Sequence, residues 1–189
     1  MDSAAANDVL NFWFDEPRGV SRETWFRKSD EFDALIRARF SATHDAVSGG
    51  RCEFWLAAPD TALAYVIVLD QFSRNMFRDD ARAFAADPQA LAAARQIVWR
   101  RWDQTMLAVE RQFVYLPFEH AEDITTQRTS LQLFADIDQL PQTQGLLEWA
   151  RTHYDIVARF GRFPHRNAAL GRLSIAAERE FLLTPGSRF

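Results

Sequence analysis

Near the end of the chain, Arg159-Phe160-Gly161-Arg162-Phe163-Pro164-His165-Arg166-Asn167-Ala168-Ala169-Leu170-Gly171-Arg172 gathers four arginines, a histidine and an asparagine around two phenylalanines, a proline and two glycines. Guanidinium groups recognise carboxylate or phosphate through paired N–H forks. Glycine and proline fix an irregular backbone path, and the phenylalanines press that path against a core. The arginines are therefore expected near the interior, where each needs an anionic or carbonyl partner. Either the chain or a ligand supplies those partners.

Two further stretches carry groups that could meet them. In Asp70-Gln71-Phe72-Ser73-Arg74-Asn75-Met76-Phe77-Arg78, the pairs Asp70/Arg74, Gln71/Asn75 and Arg74/Arg78 are four apart, so on a helix each pair shares a face. Such a set serves either as a helix-end ion pair tying elements together or as the floor of an anion pocket. Pro117-Phe118-Glu119-His120-Ala121-Glu122-Asp123 sets one histidine among carboxylates, the raw material of a metal site or an acid–base pair. Adjacent helical residues point apart, and no second histidine stands at i+3 or i+4, so no metal site is expected. A carboxylate meeting Arg162 or Arg166 through the fold is the better expectation, while Glu122 and Asp123 also suit the first turn of the next helix. Of the other histidines, His153 lies on an apolar helix face and reads as core, His44 reads as surface, and His165 ranks highest for function. Gln127-Arg128, one turn past the acidic residues, either reaches the same cluster or is solvated.

The chain has 189 residues, with 48% hydrophobic and 13% aromatic, enough large core fillers for one compact domain, 1–189. A formal net charge of -4 gives no general attraction to nucleic acid or an anionic membrane, and neither is expected as a partner. Lys28 is the only lysine; the arginine excess fits coding bias or a demand for bidentate recognition. Cys52 stands alone, which excludes a disulfide framework or thiolate cluster. The first residues lack a basic signal-peptide region, and no apolar run approaches the ~20 residues of a membrane helix, so a cytoplasmic location is expected. No P-loop, G-x-G-x-x-G or G-x-S-x-G motif is present. No cofactor is expected.

Helices must position these groups. Apolar spacing predicts a first helix over 4–14 and an amphipathic one through Phe32, Ile36, Phe40 and Val47, closed by Gly49-Gly50. The run 61–72 is apolar on every side and belongs at the centre of the fold; a buried strand over 65–69 competes. Asp87-Pro88 reads as an N-cap followed by proline, starting a helix through Trp102. Further helices are predicted from Met106 to Tyr115, broken by Pro117, then after an acidic cap through Phe134, from Pro141 to Phe160, and from Ser174 as N-cap to Leu182. Period-two alternation is missing, so the class is all-α, with antiparallel helix pairs.

The three polar stretches, with Tyr115-Leu116 leading into the second and Val9-Leu10-Asn11-Phe12-Trp13-Phe14 near the start, resemble the signatures of the bacterial family called domain of unknown function 924. The resemblance covers nearly the whole chain. Two positions depart from the family pattern: Ser73 replaces a proline, and Ala121 replaces a serine, removing a hydroxyl next to His120. The resemblance implies a compact α-α superhelix similar to tetratricopeptide folds, and no established activity; that fold leans towards binding peptides or proteins.

Three readings remain. The first is a binding module with a pocket formed by Asp70, Arg74, Asn75, His120, Glu122, Arg162, His165, Arg166 and Asn167, taking a small anionic ligand or a peptide carboxylate. The second is an enzyme using Glu119 or Glu122 with a histidine as acid–base pair, the arginines stabilising negative charge. In the third, the polar motifs only lock the fold. Neither the oligomeric state nor the ligand's identity follows from sequence.

Overall fold

The structure is a computed structural model, and it describes residues 3–187. Every regular element among them is helical. Helix α1 (Ser3–Phe14) buries Val9, Leu10, Trp13 and Phe14 on the face their spacing defines. Helix α2 (Asp30–Ser48) begins at Ser29, whose hydroxyl accepts from the Phe32 N–H at 3.2 Å, and three acids in its first turn complement the helix dipole. Helix α3 (Pro59–Ile67) runs into a π turn (Val68–Phe72) and then α4 (Ser73–Met76). Every residue from Ala62 to Phe72 is buried, so the all-round apolar run is a central helix and not a strand. Against it pack α1, α5 (Asp87–Trp99) and α6 (Ala108–Glu119). In this core Phe113 meets Trp13 and Trp25 edge to face, the Trp25 pair 4.8 Å between centroids, and the two tryptophans stack on each other.

Helix α7 (Ile124–Ile137) packs on α6, and α8 (Leu146–Phe160) on α7. The short connections between them require antiparallel neighbours. Gly161, at φ 69°, ends α8 in the left-handed region that glycine enters without strain. The chain beyond it is held by a small second core of Ile156, Val157 and fully buried Phe163, with Phe160 and Phe181 against it. The arginine-rich stretch is thus pressed onto apolar packing, as its phenylalanines predict. Helix α9 (Ala176–Phe181) closes the described chain.

Several predicted boundaries are corrected. Pro117 does not break its helix: α6 continues through it to Glu119, because burial of nearly every residue from Val109 to Glu119 outweighs the lost hydrogen bond. Pro141 does not start α8. Gln142 and Gly145 adopt φ 71° and 87°, incompatible with a helix, and Thr143 Oγ1 donates to the Ile137 carbonyl at 2.6 Å to finish α7. The helix from Asp87 stops at Trp99, and Trp102–Thr105 form a separate 3-10 turn after Arg101 at φ 58°. Ser174 is not the last N-cap; Ile175 holds that position, and its N–H is accepted by Glu178 at 2.9 Å. Asp87 likewise lies inside α5, with Ala86 at the cap.

Candidate functional site

Asp87 is freed from capping because its carboxylate faces two guanidinium groups. Arg74 grips it with both terminal nitrogens, at 2.9 and 3.0 Å, and Arg166 Nη1 reaches Asp87 Oδ2 at 3.2 Å. Arg74 also lies 3.2 Å from Asp70 Oδ1, one turn earlier. Charges therefore alternate along Asp70, Arg74, Asp87 and Arg166, joining the π turn, α5 and the loop after α8. A π turn adds a residue to the helical circuit and recurs at functional sites; here it carries Asp70, which is 1% exposed.

The Asp70 carboxylate also accepts from Gln71 Nε2 at 2.7 Å and pairs with His120 Nδ1 at 2.8 Å. Burial alone would raise its pKa; the charges of Arg74 and His120 and these hydrogen bonds outweigh that and hold it well below the carboxylate range. An ionised carboxylate only accepts, so Nδ1 of His120 carries the hydrogen and Nε2 the lone pair. Burial first, then Arg74, lowers the His120 pKa, so the ring is neutral at pH 7.

Arg166 is 5% exposed, its guanidinium between the rings of Phe84 (4.7 Å) and Phe163 (4.5 Å). Burial and the neighbouring Arg74 bring it down to about 10, still a cation at neutral pH. Its Nε is buried with no hydrogen-bond partner among the described residues. His165 follows the same loop, its ring 5.7 Å from Phe163, and burial followed by the Arg166 charge holds it down to about 3.

Behind this cluster, Glu119 and His153 are both buried, with His153 Nδ1 3.1 Å from Glu119 Oε1 and 2.9 Å from the Trp149 carbonyl. Burial, then the Asp70 charge, pushes Glu119 up to about 8, and burial, then His120, holds His153 down to about 3. Both stand uncharged at pH 7. Gln127 is buried and donates to the Glu119 and Ala121 carbonyls, finishing α6. Asp123 is the N-cap of α7, accepting from the Thr126 N–H at 2.7 Å.

A second network lies beside the first and closes on itself. Glu122 accepts from the Phe163 N–H at 2.7 Å and from both terminal nitrogens of Arg172. Burial would raise its pKa, but Arg172 and that N–H bring it below the ordinary value. Arg162 grips Glu178 through Nε and Nη2, at 2.6 and 2.8 Å, and Asn167 bridges Ser174, Glu178 and Arg172. This network ties the loop after α8 to α9. Arg162→Ala is expected to lower the urea midpoint modestly, the pair being partly solvated, and to leave any anion binding at Arg166 unchanged.

Of the predicted pocket residues, Asp70, Arg74, His120 and Arg166 come together, with His165 alongside. Glu122, Arg162 and Asn167 belong to the closed network. Asn75 turns away to donate to Asp33 at 2.7 Å, where Arg78 also pairs. His44 is buried and not on the surface, because Ser73 Oγ lies 2.9 Å from its Nε2. Asp87 and Phe84 were missed: Asp87-Pro88 already had a local explanation, and a lone phenylalanine gives no signal. Among the described residues no group of three or more His, Cys, Asp or Glu could hold a metal, and no helix is long and apolar enough to cross a membrane. A groove of about 570 Å³ lies elsewhere, between Arg37, His44, Phe77, Arg82 and Gln89.

Residues 9–186 match the family described as bacterial protein of unknown function (DUF924), and the chain belongs to that family. It is also similar to the solved structure of a protein of unknown function from Agrobacterium tumefaciens, at 39% identity over 96% of this chain and 99% of that one, with a TM-score of 0.87. Among curated proteins nothing matches.

Proposed function

We propose that the protein binds a small anion-bearing molecule at the inner cluster, with Arg166 as its principal contact. One observation carries this reading: a buried guanidinium, clamped between two aromatic faces, has Nε without a partner while Nη1 is held by Asp87. An unmatched buried donor of this kind is costly in a purely structural network. Arg162 and Arg172, by contrast, are matched in full bidentate pairs, which supports a structural role for the outer network.

A thermal-shift titration with short carboxylates and phosphate esters tests it. A ligand at a hundred times its Kd should raise the melting point by about 5–10 °C, from a stabilisation of about 2.7 kcal/mol. Folded Arg166→Gln should show no such rise. A wild-type protein that responds to no anion would sink the reading.

Catalysis is the second reading, and the Asp70–His120 pair favours it. An ionised carboxylate fixing Nδ1–H leaves Nε2 as a general base, beside a cation suited to developing negative charge. Turnover lost in His120→Gln with ligand binding retained would assign it.

A further inference from the structure

Resting on the binding role proposed for Arg166, we infer that the site takes a monocarboxylate along the Nε–Nη2 edge of that arginine, and that His120 binds a proton from solvent as the anion enters.

The chain itself shows how this edge is used. Arg162 presents Nε and Nη2 to the two oxygens of Glu178, Arg78 presents the same edge to Asp33, and Arg82 presents it to Asp80 at 3.0 Å for both bonds. In each of these a carboxylate completes the fork, while Arg37 turns the same edge to the Met76 carbonyl. In Arg166 that edge carries no hydrogen bond among the described residues, the side chain's hydrogen bond running from Nη1 to Asp87. Phe84 and Phe163 hold the guanidinium plane, so the open edge presents one fixed fork to two ligand oxygens. The flat, two-oxygen geometry of a carboxylate fits the open edge, and the flanking rings favour an acid with an apolar body.

Charge balance points the same way. Arg74 and Arg166 are offset by Asp70 and Asp87, and Glu119, His120, His153 and His165 are neutral at pH 7. A monocarboxylate therefore adds one uncompensated negative charge in a buried setting, and one proton on a histidine cancels it. His120 is the acceptor its surroundings select. Asp70 already holds its Nδ1–H and would stabilise the cation, while Arg74 and Arg166 oppose protonation until an anion offsets Arg166. From α8 and the loop beyond it, neutral His153 and His165 face the same space. A phosphate ester dianion would need twice the compensation from one arginine edge.

Isothermal titration of benzoate and of phenyl phosphate into the full chain, at pH 7 and 8 in buffers of different ionisation enthalpy, tests both parts. Benzoate should bind at least tenfold tighter than phenyl phosphate, with uptake approaching one proton and an affinity that falls up to tenfold from pH 7 to 8. In His120→Gln, whose amide can still donate to Asp70, benzoate binding at pH 7, where Glu119 stays protonated, should lose its buffer dependence. Phenyl phosphate binding as tightly as benzoate, in an Arg166-dependent way, would overturn the carboxylate assignment and leave the anion-binding role standing. Benzoate binding without proton uptake would overturn the coupling. Neither anion binding would overturn the underlying role as well. An N-acetylated tripeptide in a third arm identifies the source: tighter benzoate means a free acid, a tighter tripeptide means a peptide terminus, and either order supports the carboxylate.

Discussion

Asp87→Ala is expected to lower the unfolding free energy by about 3–5 kcal/mol, the cost of breaking a buried ionic network by removing its shared partner. The carboxylate takes a bidentate pair from Arg74 and a third bond from Arg166. Without it, two guanidinium groups face each other with only Asp70 to offset them, and Arg166 is 5% exposed. Urea denaturation at pH 7 measures the loss, and a chain of this size should melt roughly 6–20 °C lower. A change below about 1 kcal/mol would mean that the network is solvated. Coupling gives a second check. Arg166→Met should be less damaging in the Asp87→Ala background than in the wild type, since the apolar side chain removes a stranded cation.

The second large effect is a stability maximum near pH 6.5 that Glu119→Gln flattens on its alkaline side. Glu119 ionises at about 8 in the folded chain against 4.5 as the ordinary value, because burial and Asp70 both penalise its charge. Its raised folded pKa contributes stability that is complete below pH 4.5 and lost as pH rises to about 8, on the order of 3–5 kcal/mol in all. His153 and His165 act in the opposite sense. Held down to about 3 from 6.5, they contribute above pH 6.5 and lose that contribution as pH falls. Between 6.5 and 8 only the Glu119 slope of these three remains. The Glu119–His153 pair holds one proton there, which the unfolded chain does not. Glutamine keeps a donor and an acceptor but cannot ionise, so the variant should stay level from pH 6.5 to 8 and exceed the wild type at pH 8.5. Guanidinium unfolding at half-unit pH steps decides it, and a wild type flat across that window would refute the assignment.

Much of the fold was legible because helices are local. The spacing of Val9, Leu10, Trp13 and Phe14, the all-round apolar run from Ala62, and Gly161 at the end of α8 each follow from residues within a few turns of one another. Where prediction slipped, long-range packing overruled local preference. Pro117 stays inside a helix because its neighbours are buried, and Asp87 leaves a cap position because two arginines need it more.

Composition and periodicity alone point to an all-helical chain in which arginine-rich, acidic and amide-bearing stretches must find partners. Which partners they find depends on how the helices pack. Arg162, Arg172, Glu122, Asn167 and Glu178 satisfy one another, while Arg74 and Arg166 meet at Asp87 and Asp70 joins Arg74 to His120. Distance governs the pairing: a guanidinium is satisfied only within about 3 Å of its acceptor, and residues as remote along the chain as Asp70 and Arg166 are brought near one another only by the packing of helices between them.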